Sequence, residues 1–126
     1  MQMVFAIAAG GAVGALLRFY VAGHVVKLLG DNGFPYGTFA VNVIGSLVMG
    51  VLITALAVKF EAAPELRGFL TVGILGSFTT FSTFSLETAL LIQRGEWHLA
   101  MMYIVGSVVV GVLALFAGMW IGKAVL

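Results

Sequence analysis

A run of hydroxyl side chains is the part of this sequence best suited to chemistry. Six serines and threonines fall within nine positions: Ser77, Thr79, Thr80, Ser82, Thr83 and Ser85. Gly73 and Gly76 precede the run, and threonine hydroxyls compete for backbone hydrogen bonds, so the sequence predicts a break in a helix here. Carbonyls freed by such a break can coordinate a cation. The alternative is that the hydroxyls bond back to their own helix, but six of them favour a functional polar path.

Two phenylalanines accompany the hydroxyl run. Phe81 and Phe84 are three residues apart, so they share one face of a helix. An aromatic ring has a positive edge, and a ring presented edge-on can meet an anion. The alternative is that both rings face lipid or pack in a core.

Neutral hydrogen-bond donors occur in two other apolar stretches. Asn42 carries an amide with two N–H donors, Tyr103 carries a phenol, and Ser107 follows one turn after Tyr103. Singly, each is explained by hydrogen bonding between helices, worth about 0.6 kcal/mol on average in membranes. Together they offer donors without a fixed positive charge, where a small anion could be desolvated and still leave.

Two ionisable residues, Arg18 and Glu87, lie within apolar stretches. Charge inside a membrane span points to function by default. Both side chains are also long enough to reach a span end, so a structural or electrostatic-vestibule role and a direct role stay equally open.

The elements that must position these residues are membrane-spanning helices. Of the 126 residues, 62% are hydrophobic and 9% charged, with a mean hydropathy of +1.17, which is far outside the range of soluble domains. Four stretches reach the roughly 20 apolar residues that a span needs: residues 3–29, 38–58, 66–92 and 97–125. The sequence therefore predicts an all-α membrane protein with a single transmembrane domain over residues 1–126. Its third helix is predicted to be broken near the middle, at the hydroxyl run.

Other features limit the function classes. Cysteine is absent, so a disulfide or a thiolate site is excluded. The sequence contains no nucleotide-binding motif, which argues against an ATP-driven pump. The first stretch lacks a basic n-region, which favours a span over a signal peptide. Pairs of small residues four apart predict close helix packing, or else reflect ordinary glycine usage in membranes: Gly10 and Gly14, Ser46 and Gly50, Gly118 and Gly122.

The distribution of cations gives no clear orientation. With four spans, Lys59, Arg67 and Lys123 lie on one side, and Lys27 and Arg94 lie on the other, joined by Arg18 if its side chain extends toward the end of its helix. Orientation normally follows an excess of Lys and Arg in cytoplasmic loops. We therefore expect insertion in both directions and an antiparallel homodimer.

Three segments carry a family resemblance. The run from Gly76 to Ser85 followed by Glu87 and Thr88, the segment 14–19 and the segment 37–42 together resemble the Fluc (CrcB) family of fluoride channels. The resemblance covers essentially the whole chain. It implies a passive, fluoride-selective channel in a bacterial inner membrane, built as a dual-topology antiparallel homodimer with two pores, which lets toxic fluoride leave. The implied partners are fluoride, lipid and a second copy, with no nucleotide, nucleic acid or enzymatic reaction.

The resemblance also implies residue roles. Phe81 and Phe84 would line the fluoride path with Asn42 and Tyr103, Arg18 and Glu87 would be vestibule charges, and Thr80, Ser82, Thr83 and Ser85 would form a polar rail. The backbone carbonyls of Gly76 and Thr79, one pair from each subunit, would hold a structural Na⁺. Ser77 and Phe78 depart from the family, which often has glycine and a smaller aliphatic residue there.

Two rivals remain from the residues alone. A proton-coupled small multidrug transporter needs a carboxylate deep in the first span, where this chain has Arg18 instead. A membrane assembly subunit without transport would suit the glycine-rich packing, but it would leave the hydroxyl run without a purpose.

Overall fold

The computed structural model describes residues 1–30, 33–58 and 63–125. The regular structure of this part of the chain is helical and has the order α1 Gln2–Leu29, α2 Tyr36–Val58, α3 Pro64–Arg67, a π-helical segment Gly68–Leu75, α4 Gly76–Phe78, α5 Phe81–Gln93 and α6 Trp97–Val125. Four helical stretches are long and apolar enough to cross a membrane, and the third runs from Pro64 to Gln93. The predicted all-α, four-span architecture is confirmed.

Glycine and proline delimit the spans. α1 ends at Gly30, which has a φ of 83° and whose N–H donates to the Val26 carbonyl at 2.8 Å. Proline stands just before α2 and at the start of α3, where its missing N–H costs nothing. Gly95, with a φ of 78°, turns the chain between α5 and α6. Lys59, which entered the cation count above, lies outside the described residues.

Glycines bring the helices into backbone contact in two places. α1 meets the π-helical segment where a Cβ on Gly73 would lie 2.9 Å from the Cα of Gly10, and a Cβ on Gly14 would overlap the Ile74 carbonyl. α2 meets α6 where a Cβ on Gly50 would lie 3.0 Å from the Cα of Gly118. The predicted packing role is therefore confirmed for Gly10, Gly14, Gly50 and Gly118, where a Cβ would clash with the neighbouring helix, but not for Ser46.

After α3, the third span continues with eight residues of π-helix, a form that usually appears as a single turn. Hydrogen bonds connect the start of this segment to the preceding turn and to α2. The Thr71 hydroxyl donates to the Arg67 carbonyl at 2.7 Å, and the Arg67 guanidinium donates to the Leu56 carbonyl at 3.0 Å. Arg67 thus joins the third span to the last turns of α2.

Extended backbone separates α4 from α5. Thr79 has φ −85° and ψ 159°, and Thr80 has φ −152° and ψ 117°. These two residues lie near the middle of the stretch from Pro64 to Gln93, within the hydroxyl run. We call residues 79–80 the interruption.

Candidate functional site

Asn42 of α2 pairs with the backbone of the interruption. Its Nδ2 donates to the Thr80 carbonyl at 3.1 Å, and the Thr80 N–H donates to its Oδ1 at 2.8 Å. Both backbone groups of an extended residue at membrane depth are satisfied in this way, as an apolar surrounding requires. One of the two amide N–H donors of Asn42 is used here, and the second is left for other partners.

The interruption diverts two helical hydrogen bonds. In a continuous α-helix the N–H of Thr80 would bond the Gly76 carbonyl, and the N–H of Thr83 would bond the Thr79 carbonyl. Here the Thr80 N–H goes to Asn42, and the Thr83 N–H goes to the Thr80 hydroxyl at 3.2 Å. The carbonyls of Gly76 and Thr79 therefore lose the donors that a helix would give them.

These two carbonyls are the predicted Na⁺ ligands. Carbonyl oxygens suit hard cations, and unwound carbonyls in membrane helices coordinate Na⁺. Within the described residues, no group of three His, Asp or Glu side chains could hold a metal. The backbone oxygens of Gly76 and Thr79 are the donors that such a cation would use.

Some hydroxyls of the run form hydrogen bonds that stabilise the helices, and others are left for a ligand. The Thr79 hydroxyl donates to the Leu75 carbonyl at 3.1 Å. The Thr80 hydroxyl caps α5 and lies 3.5 Å from the Ser82 hydroxyl. Ser85 is exposed and Thr83 is half-buried. Self-bonding explains the first of these threonines and capping the second, so only part of the run is free to meet a ligand.

Aromatic rings form a row from the surface to the core. The ring centroids of Phe81 and Phe84 are 5.7 Å apart, those of Phe84 and Tyr103 are 4.9 Å apart, and those of Tyr103 and Phe34 are 5.5 Å apart. Phe81 is 78% exposed, whereas Tyr103 is fully buried. The predicted proximity of the two phenylalanines and Tyr103 is therefore present in a single chain.

Glu87 is held by two hydroxyl groups. The Thr38 hydroxyl donates to Glu87 Oε1 in a short hydrogen bond, and the Tyr103 hydroxyl donates to the same oxygen at 3.5 Å. The sequence prediction missed Thr38. Its signal was available, because Thr38 lies one turn before Asn42 on the same face of α2.

Two clefts flank the interruption, and Thr80 lines both. The α1 cleft has a volume of about 660 Å³ and is lined by Ala15, Arg18, Phe19, Ala22, Gly23, Val26, Lys27, Pro35, Gly37, Thr38, Val41, Thr80, Thr83 and Glu87. The α6 cleft has a volume of about 250 Å³ and is lined by Asn42, Ser46, Thr79, Thr80, Phe81, Phe84, Ser107, Val108 and Gly111. The first contains charged side chains, and the second is lined only by neutral ones.

The clefts sort the predicted site residues. Arg18, Glu87 and Thr83 meet in the α1 cleft, and Asn42, Phe81 and Phe84 meet in the α6 cleft. Ser82, Ser85 and Tyr103 line neither of these two clefts. The buried Ser107 hydroxyl has no hydrogen-bond partner in the described part of the chain, so it is a free donor beside the α6 cleft.

Comparison with known families decides the relationship of the chain. Residues 5–119 match the family model described as CrcB-like protein, Camphor Resistance (CrcB). The chain belongs to the CrcB-like family. This CrcB-like chain is thus an integral, multi-pass membrane protein, and it belongs to a different family from the small multidrug transporters.

Curated relatives of this CrcB-like chain have closely similar lengths. A protein of Novosphingobium aromaticivorans is 53% identical over 120 residues, with 94% of each chain covered. One from Chelativorans sp. is 44% identical over the whole of both chains, and one from Agrobacterium fabrum is 44% identical over 93% of each. All three are named fluoride-specific ion channel FluC.

Proposed function

We propose that this CrcB-like protein is a passive fluoride channel, not an enzyme, that lets fluoride leave a bacterial cell across the inner membrane. The names of its relatives support this substrate. The observation that carries the proposal is the pair of clefts on either side of the interruption, one charged and one neutral, which both reach Thr80.

The α6 cleft has the chemistry that dehydrated fluoride needs. Fluoride is small and strongly hydrated, so its water must be replaced by several weak donors. A channel must also bind its ion loosely enough to release it, which disfavours a fixed cation at the narrowest point. The α6 cleft supplies the second amide N–H of Asn42, the free Ser107 hydroxyl and the Phe81 and Phe84 rings, and no charged residue lines it.

The remaining predicted residues have roles on the approach to this cleft. Arg18 and Glu87 set the electrostatics of the α1 cleft, as the predicted vestibule charges. Thr83 lines that cleft, Thr80 connects it to the α6 cleft, and Ser82 and Ser85 extend the polar rail along α5. The Tyr103 hydroxyl donates a hydrogen bond to Glu87, and its ring contacts the ring of Phe84.

The working unit is an antiparallel homodimer with two pores. Phe81 is exposed and the α6 cleft is open in a single chain, so a second copy is needed to enclose the ion. The balanced cations of the loops suit insertion in both directions. Large exposed apolar residues such as Leu113 and Phe116 then face lipid.

A structural Na⁺ joins the two copies at the break in the third span. Each chain offers the carbonyls of Gly76 and Thr79, and two chains offer four oxygens. When bound, the ion supplies only positive charge that holds the two interruptions together. The diverted hydrogen bonds of Thr80 and Thr83 support this assignment, because they leave both carbonyls without helical donors.

Fluoride efflux from liposomes containing the purified protein tests the function. We expect fluoride to leave the vesicles while chloride is retained. Absence of fluoride efflux, or equal chloride efflux, would overturn the proposal.

The role of the rings is tested by Phe81→Ile. Because Phe81 is 78% exposed in the single chain, the substitution should leave the fold intact and still reduce fluoride efflux sharply. A dimer that dissociates on this substitution would identify Phe81 as a packing residue instead.

A further inference from the structure

The α1 cleft runs from one end of the bundle to its middle. Lys27 lies in the last turn of α1, Pro35 lies just before α2 and Gly37 lies in its first turn, so these lining residues mark the end near the first loop. Thr80 and Thr83, which also line it, lie at the middle of the third span. The cleft therefore connects one membrane surface with the interruption.

Three charged side chains line this cleft: Arg18, Lys27 and Glu87. Glu87 accepts hydrogen bonds from the neutral hydroxyls of Thr38 and Tyr103. Neither Arg18 nor Lys27 forms an ion pair within residues 1–30, 33–58 and 63–125. Two positive charges and one negative charge leave the cleft with a net positive charge, which attracts anions.

The two cations lie at different depths along α1. They are nine residues apart in one continuous helix, which places them about 13.5 Å apart along the axis. Lys27 is exposed and Arg18 is half-buried. An anion moving inward from the first-loop end thus meets Lys27 before Arg18.

We propose that Lys27 is an anion-steering residue at the mouth of the α1 cleft, which raises the local concentration of fluoride in front of Arg18. This inference rests on the proposed channel function. A lysine suits the role because its ammonium stays strongly hydrated on a flexible stem, so it attracts the ion without binding it tightly.

Elementary electrostatics sets the size and the salt dependence of the effect. One unit charge about 10 Å from the path of the ion raises the local anion concentration about twofold in water, and low-dielectric cleft walls increase this factor. The Debye length is about 30 Å at 0.01 M ionic strength and about 3 Å at 1 M, so high salt removes the attraction.

Single-channel fluoride currents of Lys27→Gln in planar bilayers test the inference, because the current per channel does not depend on the amount of protein inserted. At about 0.01 M ionic strength we expect the current to fall two- to fivefold, and near 1 M of an impermeant salt we expect it to equal the wild-type current. Lys27→Arg, which keeps the charge, should restore the low-salt current.

Lys123→Gln is the matched control. Lys123 is also the basic residue in the last turn of its helix, but it does not line the α1 cleft. We expect its current to equal that of the wild type at both ionic strengths.

The outcomes separate this inference from the proposed function. A wild-type protein without fluoride current would overturn the channel function itself. A wild-type current that Lys27→Gln leaves unchanged at low salt would overturn only the steering role. An equal loss at low and high salt would also overturn it, since that pattern indicates structural damage.

Discussion

Among single residues, Asn42 replaces the hydrogen bonds that the third span loses at the interruption. Its amide bonds both the N–H and the carbonyl of Thr80, so one side chain on α2 holds an extended residue on the neighbouring span. The N–H that Asn42 accepts would otherwise bond the Gly76 carbonyl. A residue expected to meet the ion therefore also keeps the Gly76 carbonyl free of its helical donor.

We predict that Asn42→Ala destabilises the protein and abolishes most fluoride efflux. The substitution leaves the Thr80 N–H and carbonyl without partners, and each unsatisfied group costs about 1 to 3 kcal/mol. Chemical unfolding in detergent measures the first effect, and liposome efflux measures the second.

Ser46→Ala is the control for Asn42→Ala. Ser46 lies one turn further along α2 and lines the same α6 cleft, but its hydroxyl forms no hydrogen bond in the described part of the chain. Its removal should change stability by less than about 0.5 kcal/mol. Equal stability losses in the two variants would show that the Asn42 pairing is not what supports the interruption.

Sequence reasoning found individual residues better than it found their partners. Asn42 and Glu87 stand out because polar groups are rare in apolar stretches, so composition alone singles them out. Thr38 and Lys27 did not stand out, because a threonine or a lysine near a span end is ordinary. Thr38 bonds Glu87 on a separate helix, and Lys27 lines a cleft between helices, and no local pattern encodes either placement.

At the scale of helices, glycines set how closely the spans approach. The Gly14 backbone of α1 lies against the Ile74 carbonyl of the π-helical segment, just before the interruption. The spacing of α1 and the third span, and with it the shape of the α1 cleft, therefore depends on a missing side chain.

We predict that Gly14→Ala lowers the free energy of unfolding by about 1 to 3 kcal/mol, as overpacking of a close contact does. Gly23→Ala is the matched control on the same helix, because a Cβ there meets no atom within 4 Å. That variant should be neutral or slightly more stable, since alanine favours helix. Comparable losses of stability in both variants would contradict the packing role of Gly14.

The limits of the spans were predictable to within two residues, since hydropathy, glycine and proline determine them. The start of α2 at Tyr36 and the end of α1 at Leu29 follow this rule. The π-helix over Gly68–Leu75 was not predicted. Its hydrogen-bond pattern has no signature in hydropathy, because α- and π-helical turns are equally apolar.

Considered as a whole molecule, one chain supplies only part of the proposed site. It supplies one pair of carbonyls at the interruption, a cleft open to its surface and a phenylalanine that is 78% exposed. A second copy would complete all three.

We predict that dimer stability depends on Na⁺. Replacing Na⁺ by a large organic cation such as N-methylglucamine should shift the purified protein toward monomer, because four carbonyl oxygens without a cation face one another. Analytical ultracentrifugation in detergent measures the shift. A dimer of equal stability in both salts would show that Na⁺ does not hold the two copies together.

The antiparallel arrangement predicts that each connection of the chain is found on both sides of the membrane. The chain contains no cysteine, so single-cysteine variants report position without interference. Ala63 and Glu96 are suitable because both are exposed and lie in connections on opposite sides of one chain. In intact cells, a membrane-impermeant maleimide should label about half of the Ala63→Cys protein and about half of the Glu96→Cys protein, because loops with balanced cations set no single orientation. Complete labelling of one variant with none of the other would fix a single orientation and exclude the antiparallel pair.

Adding lysines to one connection alone should then shift the labelling toward that pattern and reduce fluoride efflux, since parallel chains cannot form the two opposed pores.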